Sequence, residues 1–282
     1  MMPSMKVILI TGASSGIGFE TARSLARKGH RVYAAARRLG KMEALREDGV
    51  VPMYMDVTDE ASVKDGVAQV LAAEGRIDVL VNNAGYGSFG AIENVPMEEA
   101  RRQLEVNVFG LAALCREVIP SMRERRSGRI VNIASVAGKA TVYYGGWYHV
   151  SKFSVEALGD ALRMELKPFG IDVVLIEPGA IGTDWGPIAA DHLAETSAGT
   201  AYENTALVMA ENMRAVYGSG RISKPETVAR AIVRAVESRR PKVRYRVGTA
   251  AGAIVFFHWL LPARWWDGLN RAAGRFHLKP QA

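Results

Sequence analysis

The chain reads as an α/β protein: one parallel sheet covered by helices on both faces. Three observations predict this. Short apolar, strand-like runs alternate with helix-period patterns along most of the chain. Hydrophobic residues make up 49% and charged residues 23%, enough apolar surface for a sizeable core. There is no internal repeat, low-complexity tract or Pro/Gly/Ser linker to mark a domain boundary, so residues 1–282 form a single unit.

The elements follow in order. Lys6 to Thr11 is a short β-branched run, then a helix from Ile17 to Lys28. Arg31 to Ala36 and Val51 to Met55 are the next strands, followed by a helix from Glu60 to Glu74. Ile77 to Asn82 is a strand leading to one long helix, Met97 to Arg125. Arg129 to Ala134 is a strand, Tyr148 to Lys167 a helix, and Ile171 to Glu177 a strand. Pro225 opens a helix to Ser238, and Lys242 to Val247 is the last strand. Strands joined through helices imply right-handed crossovers. Two segments break the rhythm. Residues 184–220 are a long Ala-, Thr-, Glu- and Met-rich insertion, expected to form a substrate lid. Residues 248–282 form a tail with an apolar stretch, Gly248 to Leu261, too short as a helix for the ~30 Å hydrocarbon core.

Charge is concentrated. Nine Lys/Arg against Glu226 and Glu237 between Arg221 and Arg246 account for the whole net charge of +7. No helix-turn-helix, zinc-finger or RNA-binding signature accompanies this strip, so nucleic acid is not expected as a partner and a solvated face is. The single cysteine, Cys115, lies in an apolar helical pattern and reads as a buried, inert thiol. A lone cysteine, with no room for a leader before the first strand, points to the cytoplasm.

Thr11-Gly12-Ala13-Ser14-Ser15-Gly16-Ile17-Gly18 follows the first strand and opens the first helix. Small residues there let the backbone approach a pyrophosphate, and the helix N-terminus supplies free N–H donors. Gly12, Ser14, Ser15, Gly16, Ile17 and Gly18 are therefore candidate cofactor contacts. The second strand ends Ala34-Ala35-Ala36-Arg37-Arg38, with no carboxylate for a ribose 2′-hydroxyl. Arg37 suits the 2′-phosphate, which favours NADP (NADPH) over NAD. Tyr148-His149-Val150-Ser151-Lys152 sets a phenol and an amine one helical turn apart. A nearby ammonium lowers a phenol's pKa, so the pair can form a general acid/base.

Together with Asp56-Val57, Asn82-Asn83-Ala84-Gly85, Asn107, Ser135 and Pro178-Gly179 to Thr183, these motifs resemble the short-chain dehydrogenase/reductase family from Lys6 to Thr183. The run Gly159 to Gly170 is similar to the branch containing 17β-hydroxysteroid and retinol dehydrogenases. The resemblance implies a Rossmann-like, doubly wound parallel sheet of seven strands. It implies that Tyr148 exchanges the proton with a carbonyl or hydroxyl oxygen, that Lys152 lowers its pKa and binds the nicotinamide ribose, and that Ser135 orients the substrate oxygen. It implies that Asn107 helps hold a relay water. Asp56 and Val57 would contact adenine, and Asn83, Ala84 and Gly85 would line the adenosine side. Pro178, Gly179, Ile181 and Thr183 would surround the nicotinamide. No metal is expected.

Tyr86, Phe89, Val142, Tyr143, Tyr144, Trp147 and Trp185 are the expected substrate wall, with Tyr143, Trp147 and Trp185 foremost. Such a wall suits a hydrophobic ketone, aldehyde or alcohol. The family's habit of pairing its two long helices implies a homodimer or homotetramer. The tail, with Phe256, Phe257, Trp259, Trp265 and Trp266, is expected to cover the pocket or an oligomer contact; membrane-surface contact is the lesser expectation. The alternative function is a dinucleotide-binding sensor or scaffold without catalysis, which the retained Tyr148, Lys152 and Ser135 disfavour.

Overall fold

The computed structural model describes residues 5–275. Its seven strands are β1 (Val7–Thr11), β2 (Arg31–Ala36), β3 (Val51–Tyr54), β4 (Val79–Asn82), β5 (Gly128–Ile133), β6 (Ile171–Pro178) and β7 (Arg244–Val247). They form one sheet in the order β3-β2-β1-β4-β5-β6-β7, every neighbouring pair parallel. The strand order reverses between β1 and β4, which opens a crevice at the C-terminal ends of those two strands.

Side chains alternate across β1 and feed two cores. Val7 and Leu9 pack with Val63, Val67 and Val70 of helix α2 (Glu60–Glu74) on one face. Ile8 and Ile10 pack on the other with Ala22 and Leu25 of α1 (Gly16–Ala26). All of these side chains are buried, and each large one stabilises the fold by about 1.5–3 kcal/mol. Asp59 caps α2 by accepting the Ala61 N–H at 2.9 Å, and the helix stops at Gly75, whose φ is +71°.

The long helix expected over Met97 to Arg125 is not uniform. It runs as α3 (Met97–Leu104), a π-helical turn (Glu105–Phe109) and α4 (Gly110–Glu124). A π-turn adds a residue to one turn and marks a local constraint, often at a functional site. Asn107 sits inside it. The helix α5 (Gly146–Leu166) begins two residues before the expected start.

Residues 184–220 are not irregular chain. They form α6 (Trp185–Ser197) and α7 (Glu203–Gly218), packed on each other over the C-terminal edge of the sheet. Their small faces, Ala189, Ala190, Ala206 and Ala210, bury a third core with Leu193, Phe89 and Tyr148. After α8 (Pro225–Glu237) and β7 come α9 (Ala251–Leu260) and α10 (Ala263–Arg275). Among the described residues no helix is long and apolar enough to cross a membrane.

The basic strip is partly structural. Arg244 reaches Glu156 at 3.1 Å and Asp160 at 2.7 Å, and Arg246 reaches Glu177 at 2.9 Å. Glu177 is fully buried, so these arginines neutralise a charge that would otherwise be costly. Cys115 is buried, and burial pushes its thiol up to about 12, as an inert side chain requires.

Candidate active site

The crevice between β1 and β4 is built from two turns that interlock. Thr11 Oγ1 accepts the N–H groups of Asn83 and Ala84, both at 3.2 Å. Asn83 Nδ2 donates to the carbonyls of Thr11 at 3.0 Å and Gly12 at 3.1 Å. Gly12 has φ +64°, and a Cβ there would lie 2.7 Å from the Ala84 Cα. Only glycine fits at such a position. Asn83 and Ala84 thus shape the glycine-rich turn as well as lining it.

The same turn presents a helix N-terminus suited to a pyrophosphate. Ser15 is the N-cap of α1, with no side-chain cap and no acidic residue in the first turn. The first N–H groups of α1 and the positive dipole end face the crevice without competition from a side chain. Gly16 lies opposite Thr183, where a Cβ would come within 3.2 Å of the Thr183 methyl. A dinucleotide therefore fits the residues present, and Gly16, Ile17, Gly18 and Thr183 would hold its phosphates.

At the end of β2 the two arginines divide. Arg37 turns toward Asp56 at 3.8 Å. Arg38 donates to Ser14 Oγ at 3.0 Å and Ser15 Oγ at 3.4 Å, over the glycine-rich turn. The sequence reading favoured Arg37 alone; Arg38 stands closer to the phosphate-binding turn. Asp56 also accepts from the Thr58 N–H and hydroxyl; although burial raises its pKa, these bonds and Arg37 bring it below the usual carboxylate value.

Tyr148 and Lys152 lie one turn apart near the start of α5, both buried. Lys152 Nζ donates to the Ile133 carbonyl at 2.9 Å and lies 5.9 Å from the Tyr148 ring centre. Burial lowers the Lys152 ammonium to about 8, with Glu156 opposing the shift. Burial raises the Tyr148 phenol above its ordinary value, and the neighbouring Ser135 hydroxyl opposes the rise. The expected lowering of the phenol by Lys152 is not found: Lys152 is not among the groups that shift the phenol, its ammonium is held on the Ile133 carbonyl, and burial sets the direction for Tyr148. The phenol is a held proton donor. Ser135 Oγ donates to the Pro178 carbonyl at 3.3 Å and accepts the Ala137 N–H at 3.1 Å, which orients it at the end of β5.

Asn107 acts as a clamp. Its Oδ1 accepts the Tyr86 N–H at 3.0 Å, and its Nδ2 donates to the Tyr86 carbonyl at 2.9 Å and to Ser151 Oγ at 3.0 Å. The π-turn aims this amide between the Gly85–Tyr86 loop and α5. A Cβ on Gly85 would sit 3.1 Å from Asn107 Oδ1 and 3.8 Å from Lys152 Nζ, so glycine keeps the space between those two groups open.

The substrate wall differs from the sequence expectation. Trp185 and Phe89 do meet the Tyr148 ring, with centres 5.0 and 5.9 Å away. Tyr143 instead pairs with Tyr144 on an exposed loop and reaches Arg271. Trp147 is not among the rings around the phenol, because consecutive helix positions point about 100° apart. Val142 is exposed, and the Tyr86 hydroxyl turns away to Glu99 at 2.9 Å. Tyr217 of α7 was not singled out from sequence. Its ring lies 6.0 Å from Trp185, and a Cβ on Gly186 would come within 2.1 Å of it. Burial pushes its phenol up to about 12. No local pattern marks Tyr217, since α7 reaches the site only by folding over the sheet. Tyr144, with φ +63°, ties its loop to two neighbours: its carbonyl accepts the Gly90 N–H at 2.8 Å and its phenol bonds Thr205 of α7.

His149 braces the two loops beside the phenol. Its Nδ1 bonds the Ala137 carbonyl at 2.9 Å and its Nε2 accepts the Val142 N–H at 3.0 Å, which fixes the neutral tautomer. Burial lowers its pKa, and that of His30, below 6.5. The unfolded chain therefore takes up these protons first as pH falls. Stability is full above about pH 6.5 and declines below it, by up to about 1.4 kcal/mol per pH unit for each histidine. Urea unfolding between pH 7 and 5 should show this slope, and His149→Gln should remove about half of it.

A short-chain dehydrogenase family model matches residues 6–192. The chain is 35% identical to a probable short-chain type dehydrogenase/reductase, VdlC, of Helicobacter pylori, over 93% of this chain and 96% of that protein. It is 43% identical to 3-ketodihydrosphingosine reductase of Bacteroides thetaiotaomicron, over 63% and 65%. It is 34% identical to an NADPH-dependent 3-dehydrocapnine reductase of Ornithobacterium rhinotracheale, over 93% and 95%. Among solved structures, a short-chain dehydrogenase from Streptomyces avermitilis superposes with a TM-score of 0.79 at 34% identity, covering 96% of this chain and 99% of that one.

Proposed function

Because the chain belongs to the short-chain dehydrogenase/reductase family of nicotinamide-dependent oxidoreductases, we propose that it interconverts a lipophilic ketone or aldehyde and its alcohol with NADP(H). The observation that carries this reading is the burial of a protonated Tyr148 phenol among apolar rings, with the Ser135 hydroxyl beside it.

When bound, the dinucleotide supplies or accepts the hydride. In reduction, Tyr148 gives its proton to the carbonyl oxygen as that oxygen gains negative charge. Ser135 donates a second hydrogen bond to the same oxygen and fixes its direction. Lys152, near half-charged around pH 8, stabilises the phenolate left behind. Asn107 holds α5 against the Gly85–Tyr86 loop, a place beside Lys152 that supports its helping to hold a relay water. Oxidation runs through the same groups in reverse.

The arginine pair with no carboxylate at the end of β2 supports NADP(H). Phe89, Trp185 and Met213 support an extended apolar substrate, the class to which the keto-lipid named for the Bacteroides relative belongs. Exposed Phe109 of the π-turn and exposed Phe153 and Met164 of α5 support a homodimer or homotetramer through those elements. A panel of lipophilic carbonyls with NADPH tests the reading, and turnover of small polar sugars alone contradicts it. Trp185→Ala should raise KM for a long-chain carbonyl about tenfold or more while changing KM for a short one little, because the loss is mainly of apolar contact.

A further inference from the structure

We propose that the outer faces of α9 and α10 form a docking surface for an anionic lipid bilayer, placed beside the loop that leads into Tyr148. From Gly248 to Ala263 the chain carries no Asp, Glu, Lys or Arg. In α9 only Ala251 is buried against the body. Phe256, Phe257, Trp259 and Leu260 spread over the opposite side and are exposed, Trp259 at 77%. At ten residues, about 15 Å, α9 can lie within a leaflet but cannot span one bilayer.

The helix α10 continues this surface with amphipathic spacing. Trp266 and Asn270 face inward; the Trp266 indole donates to the Thr141 carbonyl at 2.9 Å. Trp265, exposed at 68%, and Leu269 form an outward apolar stripe. Arg264 and Arg271 lie along one flank of that stripe with Asp267 between them, which leaves the flank net positive. Apolar rings beside paired cations match the acyl boundary and phosphate layer of an anionic membrane.

Lipid fits this face better than a second copy of the chain. Protein interfaces carry a hydrogen bond per roughly 100–200 Å² and a polar rim that sets register. Apart from its indole N–H, the exposed face of α9 offers no hydrogen-bonding side chain; the family-type oligomer contact proposed above lies on other helices. The inward side of α10 rests on residues 141–143, the loop that leads into Tyr148, and Arg271 bonds the Tyr143 phenol there. The apolar surface therefore lies beside the loop that leads into Tyr148. Uptake of substrate from the bilayer rests on the lipophilic substrate reading above; docking itself does not.

The test is co-sedimentation of the full chain with phosphatidylcholine vesicles, with and without phosphatidylglycerol, alongside sedimentation velocity without lipid. The wild type should pellet with anionic vesicles about tenfold more tightly than with neutral ones, and high salt should remove the difference. Trp259→Ser with Trp265→Ser should lose pelleting while keeping the oligomeric state, melting temperature and turnover of a small water-soluble carbonyl. Arg264→Gln should reduce the preference for anionic vesicles. A wild type that stays in the supernatant overturns the proposal. So does a double variant that pellets like wild type, or one that dissociates into smaller species. If no carbonyl is reduced by the wild type, the catalytic reading falls while pelleting still decides the docking.

Discussion

Tyr148→Phe is expected to lower carbonyl turnover by about three orders of magnitude or more, within or beyond the 10²–10⁴ range of general acid catalysis. The substitution removes one oxygen and keeps the ring that packs 5.0 Å from Trp185 and 5.9 Å from Phe89. Stability and dinucleotide affinity should therefore stay near wild type, so the loss should appear in kcat. The pH dependence carries a further signature. Burial holds the phenol protonated and brings Lys152 down to about 8. Reduction should then persist through neutral pH and change as Lys152 loses its charge near pH 8. Steady-state NADPH consumption and fluorescence titration of NADPH measure the two quantities. Full activity in the variant would remove Tyr148 from the mechanism.

Arg37→Ala combined with Arg38→Ala is expected to cut kcat/KM for NADPH by roughly two to three orders of magnitude, with NADH changed far less. Each charge-assisted hydrogen bond to a phosphate contributes about 1.5–3 kcal/mol, and two such side chains meet at the end of β2. Arg38 already spans Ser14 and Ser15, whereas Arg37 is held toward Asp56. The single variants should therefore differ, Arg38→Ala costing more than Arg37→Ala. Kinetics with both dinucleotides check this. Equal losses for NADPH and NADH would mean that the arginines shape the turn and do not read the 2′-phosphate.

The sheet and the reaction centre were legible because each rests on a local signal. The run Val7 to Thr11 declares a strand through its β-branched residues, and the glycines after it declare a tight turn into a helix. Tyr148 and Lys152 sit one turn apart on one helix, so spacing relates them, whereas Ser135, at a strand end, was legible only through the family resemblance. The lid was less legible. Neither α6 nor α7 has a side-chain N-cap bond, and both bury alanine faces with weak periodicity. Tyr217 therefore gave no signal, although its ring packs on Trp185 beside Tyr148. Tyr143 and Trp147 were misplaced for the opposite reason: they are close to Tyr148 in sequence, but loop and helix geometry turn them elsewhere. The π-turn at Asn107 leaves no mark in composition, since its cause is tertiary, the amide locked between Tyr86 and Ser151.

The most direct test of the account is label transfer from deuterated NADPH. The wild type, given a long-chain ketone or aldehyde and NADPH carrying deuterium at the reactive carbon of its nicotinamide, should yield the alcohol with deuterium on the former carbonyl carbon, read by mass spectrometry. Tyr148→Phe should bind the dinucleotide and form almost no labelled alcohol. Unlabelled alcohol, or no alcohol from any lipophilic carbonyl tried, would contradict hydride transfer coupled to proton donation by Tyr148.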